Sequence, residues 1–298
     1  MNSPLRDKWR CLQKTLAAFL LGLLALQDVA RAQDGGRLLA TSGVSQIEGA
    51  GGGGLVPWAL ITGYGTRNQT GVNVHDSFVH LGDFDLNTAG VAVGIHDRVE
   101  LSYAHEWFYT GAAGGRLGLG RGYQLHLDVV GVKLRLLGRV VYDQDSWVPE
   151  ISVGTQFKSA DRHALLRAIG AQSTDGVDFY VAATKLFLAQ SVLVSATVRA
   201  TKANQFGLLG FGGDRNGGYR PEFEGSAALL LTRKLAFGAE LRTKPDNLSF
   251  AREGTAYDVF GAYFVNKHLS VTLAFTGLGP IVRQGDQNGV YLSAQAGF

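Results

Sequence analysis

Segments of about ten residues in which large apolar side chains alternate with small or polar ones recur along this chain. Leu269, Val271, Leu273 and Phe275 alternate with Ser270, Thr272 and Thr276. Leu235, Phe237, Ala239 and Leu241 alternate with Ala236, Gly238, Glu240 and Arg242. Phe223, Gly225, Ala227, Leu229 and Leu231 do so with Glu222, Glu224, Ser226 and Ala228, and Trp147, Ile151, Val153 and Phe157 with Glu150, Ser152, Gln156 and Lys158. A period of two with one apolar face is a half-buried strand, so the fold class is all-β. A water-soluble sandwich would show the same alternation. The choice falls to the chain ends and the connections.

At the front, Arg6, Lys8 and Arg10 precede a short apolar run, Ala17 to Leu26, followed by the small-x-small pattern Ala30-Arg31-Ala32. The run is about half of the roughly 20 residues a spanning helix needs, which predicts a cleaved signal peptide over 1–32 and one mature domain over 33–298. Cys11, the only cysteine, lies before the apolar run, so the mature chain has no disulfide or thiol chemistry. Cleavage would remove five basic and two acidic residues and leave 23 of each, so a basic nucleic-acid footprint is not indicated. At the back, Val290, Leu292, Ala294, Ala296 and Phe298 share one face. A terminal aromatic on such a strand resembles the signal by which bacterial outer-membrane barrels are handed to their assembly machinery.

The connections alternate in length. His96-Asp97-Arg98, Ala189-Gln190, Thr232-Arg233-Lys234 and Asn266-Lys267-His268 are tight, whereas 110–121, 159–175, 202–219, 247–254 and 278–287 are longer. Short turns on one side and long loops on the other predict a transmembrane antiparallel up-and-down β-barrel, with Trp107, Tyr109, Tyr123, Tyr219, Phe223 and Tyr257 as its loop-side aromatic girdle. Eleven strands are counted from Phe84 onward. Chain ends on one side require an even total. Residues 39–48, 56–66 and 72–80 all read as strands, which favours fourteen; the alternative is twelve, with 67–83 as one long loop. A one-residue bulge at Val129-Val130 would keep Leu125, Leu127 and Val129 outside with Val130, Val132, Leu134 and Leu136, and Gly90 would act likewise between Phe84 and Ile95.

Tyr142 to Trp147, Asp178 to Leu188, Arg199 to Asn216, Arg242 to Leu248 and the closing Gln295-Ala296-Gly297-Phe298 resemble a proteobacterial family catalogued as domain of unknown function 3034. The resemblance spans nearly the whole mature chain. It implies a protein of the Gram-negative outer membrane and supplies no activity or site residues.

Turn parity around Thr232-Arg233-Lys234 sets Glu224 opposite Arg242 and Glu222 opposite Lys244, all inward near the outer rim, with Glu240 inward below them. Such pairs either brace the wall or form a charged constriction. The proposed bulge keeps Gln124, His126, Asp128, Lys133 and Arg135 toward the lumen, while strict alternation on the neighbouring strand puts Glu106 inward and His105 outward. Glu106, His126 and Asp128 form a carboxylate–imidazole cluster with no positioned nucleophile or second histidine. In loop 202–219, Phe206, Leu208, Leu209 and Phe211 stand among glycines, and a wholly exposed loop rarely carries such a run. They are expected to fold into the mouth, which places Asp214 and Arg215 beside a permeation path.

These readings predict a porin-like passive channel for small hydrophilic solutes, with outer-membrane lipid and the barrel-assembly machinery as partners. No catalytic residue, metal, cofactor or nucleic acid is expected. The alternative is a plugged structural or partner-binding barrel, and an outer-membrane hydrolase is less favoured.

Overall fold

Twelve antiparallel strands close into one barrel in a computed structural model that describes residues 44–140 and 146–298. In chain order they are β1 Thr70–Leu81, β2 Asp85–Ile95, β3 Val99–Tyr109, β4 Gln124–Leu137, β5 Glu150–Ala160 and β6 Asp175–Phe187. They continue as β7 Val192–Thr201, β8 Arg220–Leu230, β9 Leu235–Arg242, β10 Ala256–Phe264, β11 Leu269–Pro280 and β12 Asp286–Gly297. Each pairs with the next, and β12 pairs with β1, so no sheet edge is left open. Phe298 completes the closure: its N–H donates to Val72 O (2.7 Å) and its carbonyl accepts from Val72 N (2.9 Å).

The strand total is the alternative twelve, not fourteen. Eleven strands do follow Phe84, and the twelfth is Thr70–Leu81, which covers the expected strand 72–80 and not the long loop of the twelve-strand alternative. Residues 44–48 and 56–66 are not wall strands; they lie within the barrel. Residues 39–43 and the expected signal peptide fall outside the described residues.

Connections 96–98, 188–191, 231–234 and 265–268 are tight and lie on the side of Thr70 and Phe298. In the first of these, His96 and Asp97 take φ of 52° and 51°, the left-handed centre of a turn closed by Arg98 N donating to Ile95 O (3.0 Å). Connections 110–123, 161–174, 202–219 and 243–255 lie on the other side, and the first two carry short helices, α1 Gly111–Arg116 and α2 His163–Ala168. The ends of β4 and β5 that 138–149 joins are on that same side, although twelve residues separate them.

Neither expected bulge exists. β3 and β4 pair without a register shift through Tyr103↔Val130 and Ala104↔Val129, and β2 pairs without a shift on both sides of Gly90. Leu125, Leu127 and Val129 therefore point inward and are buried, while Gln124, His126 and Asp128 point outward. The polarity of the wall inverts in the loop-side half of β1 to β4, where Val79, Leu81, Leu86 and Phe108 are also inward. The cause is the mouth. There the loops fold onto an apolar core that includes Leu127, Leu166, Phe206, Leu208, Leu209, Leu248 and Ile281, so inward positions must be apolar.

Candidate functional site

The lumen is occupied by the chain itself. Residues 44–65 are buried throughout except Gly54, and a two-residue ladder, Val44↔Gly52 and Ser45↔Gly51, folds them into a compact hairpin. A strand in the wall satisfies its backbone through its neighbours, but this segment depends on wall side chains. Glu100 accepts from Gly51 N (2.9 Å) and Thr62 N (2.8 Å), and Glu240 accepts from Leu55 N (2.7 Å). Thr184 Oγ1 accepts from Ala59 N (2.8 Å), and Gln295 Oε1 from Ser45 N (2.7 Å). In the other direction, Thr88 donates to Ile47 O (2.7 Å) and Thr197 to Pro57 O (2.9 Å). Lys133 Nζ donates to Gly51 O and Leu60 O (both 2.9 Å) while paired with Glu100 at 3.0 Å.

The run Gly51 to Gly54 lets the segment lie this close to the wall. A Cβ on Gly53 would sit within the Glu240 carboxylate, and one on Gly52 would strike Val56 O and Pro57. Between Gly53, Gly54, Asp258 and Tyr291 a cavity of about 10 Å³ remains, room for about one water.

Above the hairpin lies a balanced charge cluster of three carboxylates, Glu48, Asp178 and Glu224, and three cations, Lys158, Arg199 and Arg242. Arg242 binds Glu48 through both terminal nitrogens (2.7 and 3.1 Å), and Lys158 bridges Glu48 and Asp178, the latter at 2.7 Å. Arg199 pairs with Glu224 and lies 3.4 Å from Asp178, and Arg242 Nε lies 3.3 Å from Glu224. All six side chains are buried. Glu106 points into the same region, and neither of its carboxylate oxygens has a hydrogen-bond partner among the described residues.

The predicted site residues divide between the lumen, the rim and the outer wall. Glu224 and Arg242 are Cα partners, as turn parity requires. Glu222 does not pair with Lys244, because β9 ends at Arg242. Thr243 turns back to donate to Glu222, and Lys244 reaches Glu253 at 3.0 Å and Leu278 O at 2.7 Å. Burial pushes the Glu253 carboxyl up and the Lys244 ammonium down from their ordinary values, each against the pull of the other. Arg135 pairs with Asp97 of the tight connection 96–98 at 2.7 Å.

Phe206, Leu208, Leu209 and Phe211 are buried in the mouth, where the Phe206 ring lies under Arg242 and Lys244 and its carbonyl accepts from Lys158. Asp214 and Arg215 are not beside a lumen path. They sit at the exposed rim on loop 243–255, Asp214 bound to Ser249 and Arg215 to Asp246. His126 and Asp128 are corrected to the outer wall beside His105. Sequence reasoning missed Glu48, Glu100, Asp178, Arg199 and Gln295. The run of four glycines was the available signal, since it suits close approach to other groups better than a wall strand.

A closed antiparallel barrel that exposes Leu273, Phe275, Phe237, Val259, Phe223 and Phe179 to the outside defines a transmembrane β-barrel. The chain belongs to the family described as protein of unknown function (DUF3034), whose pattern matches residues 41–295. No curated protein matches it. Among solved structures it is similar to the KdgM porin, at 12% identity and TM-score 0.49, covering 76% of this chain and 99% of that one. It is also similar to outer membrane protein Omp33 of Acinetobacter baumannii (12% identity, TM-score 0.46, 78% and 100% covered). Outer membrane phospholipase A of Escherichia coli is a third (10% identity, TM-score 0.43, 79% and 94% covered). Likenesses this distant do not decide what this chain does.

Proposed function

We propose that this protein is an outer-membrane barrel shut by its own chain, a gated channel for small hydrophilic solutes in its closed state. The observation that carries the reading is the polar lumen wall, whose hydrogen-bonding groups are met by the main chain of 44–65. A barrel that needed only a filled core would do as well or better with apolar lumen residues, since buried charge pairs are weak sources of stability. Groups that a hairpin satisfies can be satisfied by water once it leaves, and a wall lined by Glu100, Lys133, Ser152, Thr184, Thr197 and Glu240 then becomes an aqueous lumen. Phe206 to Phe211 narrow the opposite end, while the hairpin is the element that shuts the lumen.

This differs from an always-open pore and absorbs the plugged state of the alternative reading. The outward apolar belt supports placement in the outer membrane. The test is flux of a small neutral sugar into proteoliposomes carrying the whole chain or a variant lacking 44–66. The reading expects slow flux for the first and fast flux for the second. Equal, negligible flux from both folded proteins would leave a plugged structural or partner-binding barrel as the better account.

A further inference from the structure

In the closed barrel the hairpin presents one carboxylate to a set of donors that the wall holds in place by itself. Of the groups around the Glu48 carboxylate, Gln46 Nε2 (2.8 Å) comes from the hairpin. The rest come from the wall: the fork of Arg242 on β9, the ammonium of Lys158 on β5 and, 3.9 Å away, Arg199 Nη2 on β7. Each of these cations has anchors that stay when Glu48 goes. Lys158 keeps Asp178 (2.7 Å) and Phe206 O (3.1 Å). Arg199 keeps Glu224, Gln156 Oε1 (2.5 Å) and the Tyr180 ring, 5.2 Å to its centroid. Arg242 keeps Glu224 at 3.3 Å and the Phe206 ring, 4.4 Å to its centroid. The donors are thus preorganised by strands and loop and not by their occupant.

Charge leads to the same place. Without Glu48 the cluster sets three cations against Asp178 and Glu224. Glu106, the other carboxylate of this region, makes no hydrogen bond or ion pair with any of the three among the described residues. The fork and the ammonium are therefore aimed at the place that Glu48 fills. A guanidinium fork matches two oxygens of one planar group, and a narrow lumen focuses the field of one unbalanced cation. We infer that the wall carries a carboxylate-binding site, filled by Glu48 in the shut barrel and by the carboxylate of a small organic anion in the open one. This rests on the gated-channel reading and narrows its solutes from hydrophilic molecules in general to organic acids.

The test is chemical rescue in the full chain. Glu48→Ala removes a methylene and a carboxylate, the heavy atoms of acetate. Acetate should slow proteolysis within 44–66 of that variant about tenfold relative to chloride at equal ionic strength, the scale of one charge-assisted hydrogen bond. Acetamide, its neutral counterpart, should not, and adding Arg242→Gln should abolish the acetate effect. If Glu48→Ala gives no folded barrel, its heat-modifiable fraction on refolding in acetate against chloride makes the same comparison. No rescue, or equal rescue by chloride, inorganic phosphate or acetamide, would overturn the site. In the variant lacking 44–66, gluconate should pass faster than glucose, and equal, measurable rates would overturn the solute class. Rescue is read without opening the channel. Rescue beside a silent deletion variant would uphold the site and strike the channel reading, whereas absent rescue beside fast glucose flux would strike the site alone.

Discussion

Glu48, inside the barrel, receives both terminal nitrogens of Arg242 from the wall, at 2.7 and 3.1 Å. This forked pair joins the occluding hairpin to the strand cylinder, and Lys158 joins the same carboxylate from the other side. Glu48→Ala leaves Lys158, Arg199 and Arg242 facing only Asp178 and Glu224. Removing one partner of a buried pair costs about 3–5 kcal/mol, so the hairpin should loosen by that order while the strands stay closed. Limited proteolysis should cut within 44–66 faster in the variant and leave the barrel fragment intact. A cleavage rate equal to that of the unaltered chain would refute the anchoring role.

Gly53 offers an independent way to disturb the same contact. Its missing side chain makes room for the Glu240 carboxylate that holds Leu55 N. Gly53→Val forces the two apart, and overpacking of this kind costs about 1–3 kcal/mol. Amide hydrogen exchange should speed up across 51–62 and remain slow in β9 and β10. Unchanged exchange in the hairpin would show that the contact is dispensable.

The wall was legible in the sequence where it faces lipid on one side and polar lumen on the other, as β7 to β12 do. Glu224 opposite Arg242 followed from turn parity because one register is compatible with that alternation. Legibility failed at the mouth, where an apolar loop core reverses the inward preference of Leu125, Leu127 and Val129, and period-two reading alone cannot tell inside from outside. It failed again at 44–66, because a strand in the wall and a hairpin inside it both show buried apolar residues such as Ile47, Val56 and Ile61. Which carboxylates meet the hairpin main chain is decided by three-dimensional approach and leaves no local trace.

At the rim, Asp214 accepts from Ser249 N at 2.9 Å and from the Ser249 hydroxyl, and these bonds hold its carboxyl below the ordinary aspartate value. A depressed folded value means the tie is fully present above the ordinary value of about 3.9 and is lost as pH falls through the lower folded one. Exchange at the Ser249 amide should therefore be slow, relative to its intrinsic rate, from pH 7 down to about 4 and should lose protection below that. Asp214→Asn should remove the pH dependence. Protection that persists unchanged at pH 2 would contradict the assignment.

Phe298 closes the barrel through its backbone and stacks its ring on His268 with centroids 5.2 Å apart. Phe298→Ala keeps both hydrogen bonds to Val72 and removes the ring. If the ring serves assembly, the heat-modifiable folded fraction in the outer membrane should fall several-fold in Phe298→Ala and recover in Phe298→Tyr, with export unchanged. Full folded yield from Phe298→Ala would show that the backbone bonds suffice.

The central claim is that the hairpin, held by Glu100, Glu240, Lys133 and the Glu48 cluster, is what shuts an otherwise aqueous lumen. Single-channel recording in a planar bilayer compares the whole chain with a variant lacking 44–66, and with a second variant that also lacks 206–213. The account predicts rare or no steps for the whole chain, steady steps once the hairpin is gone, and larger ones when the loop seal is removed too. Silence from a double deletion that still shows the heat-modifiable folded barrel would contradict it.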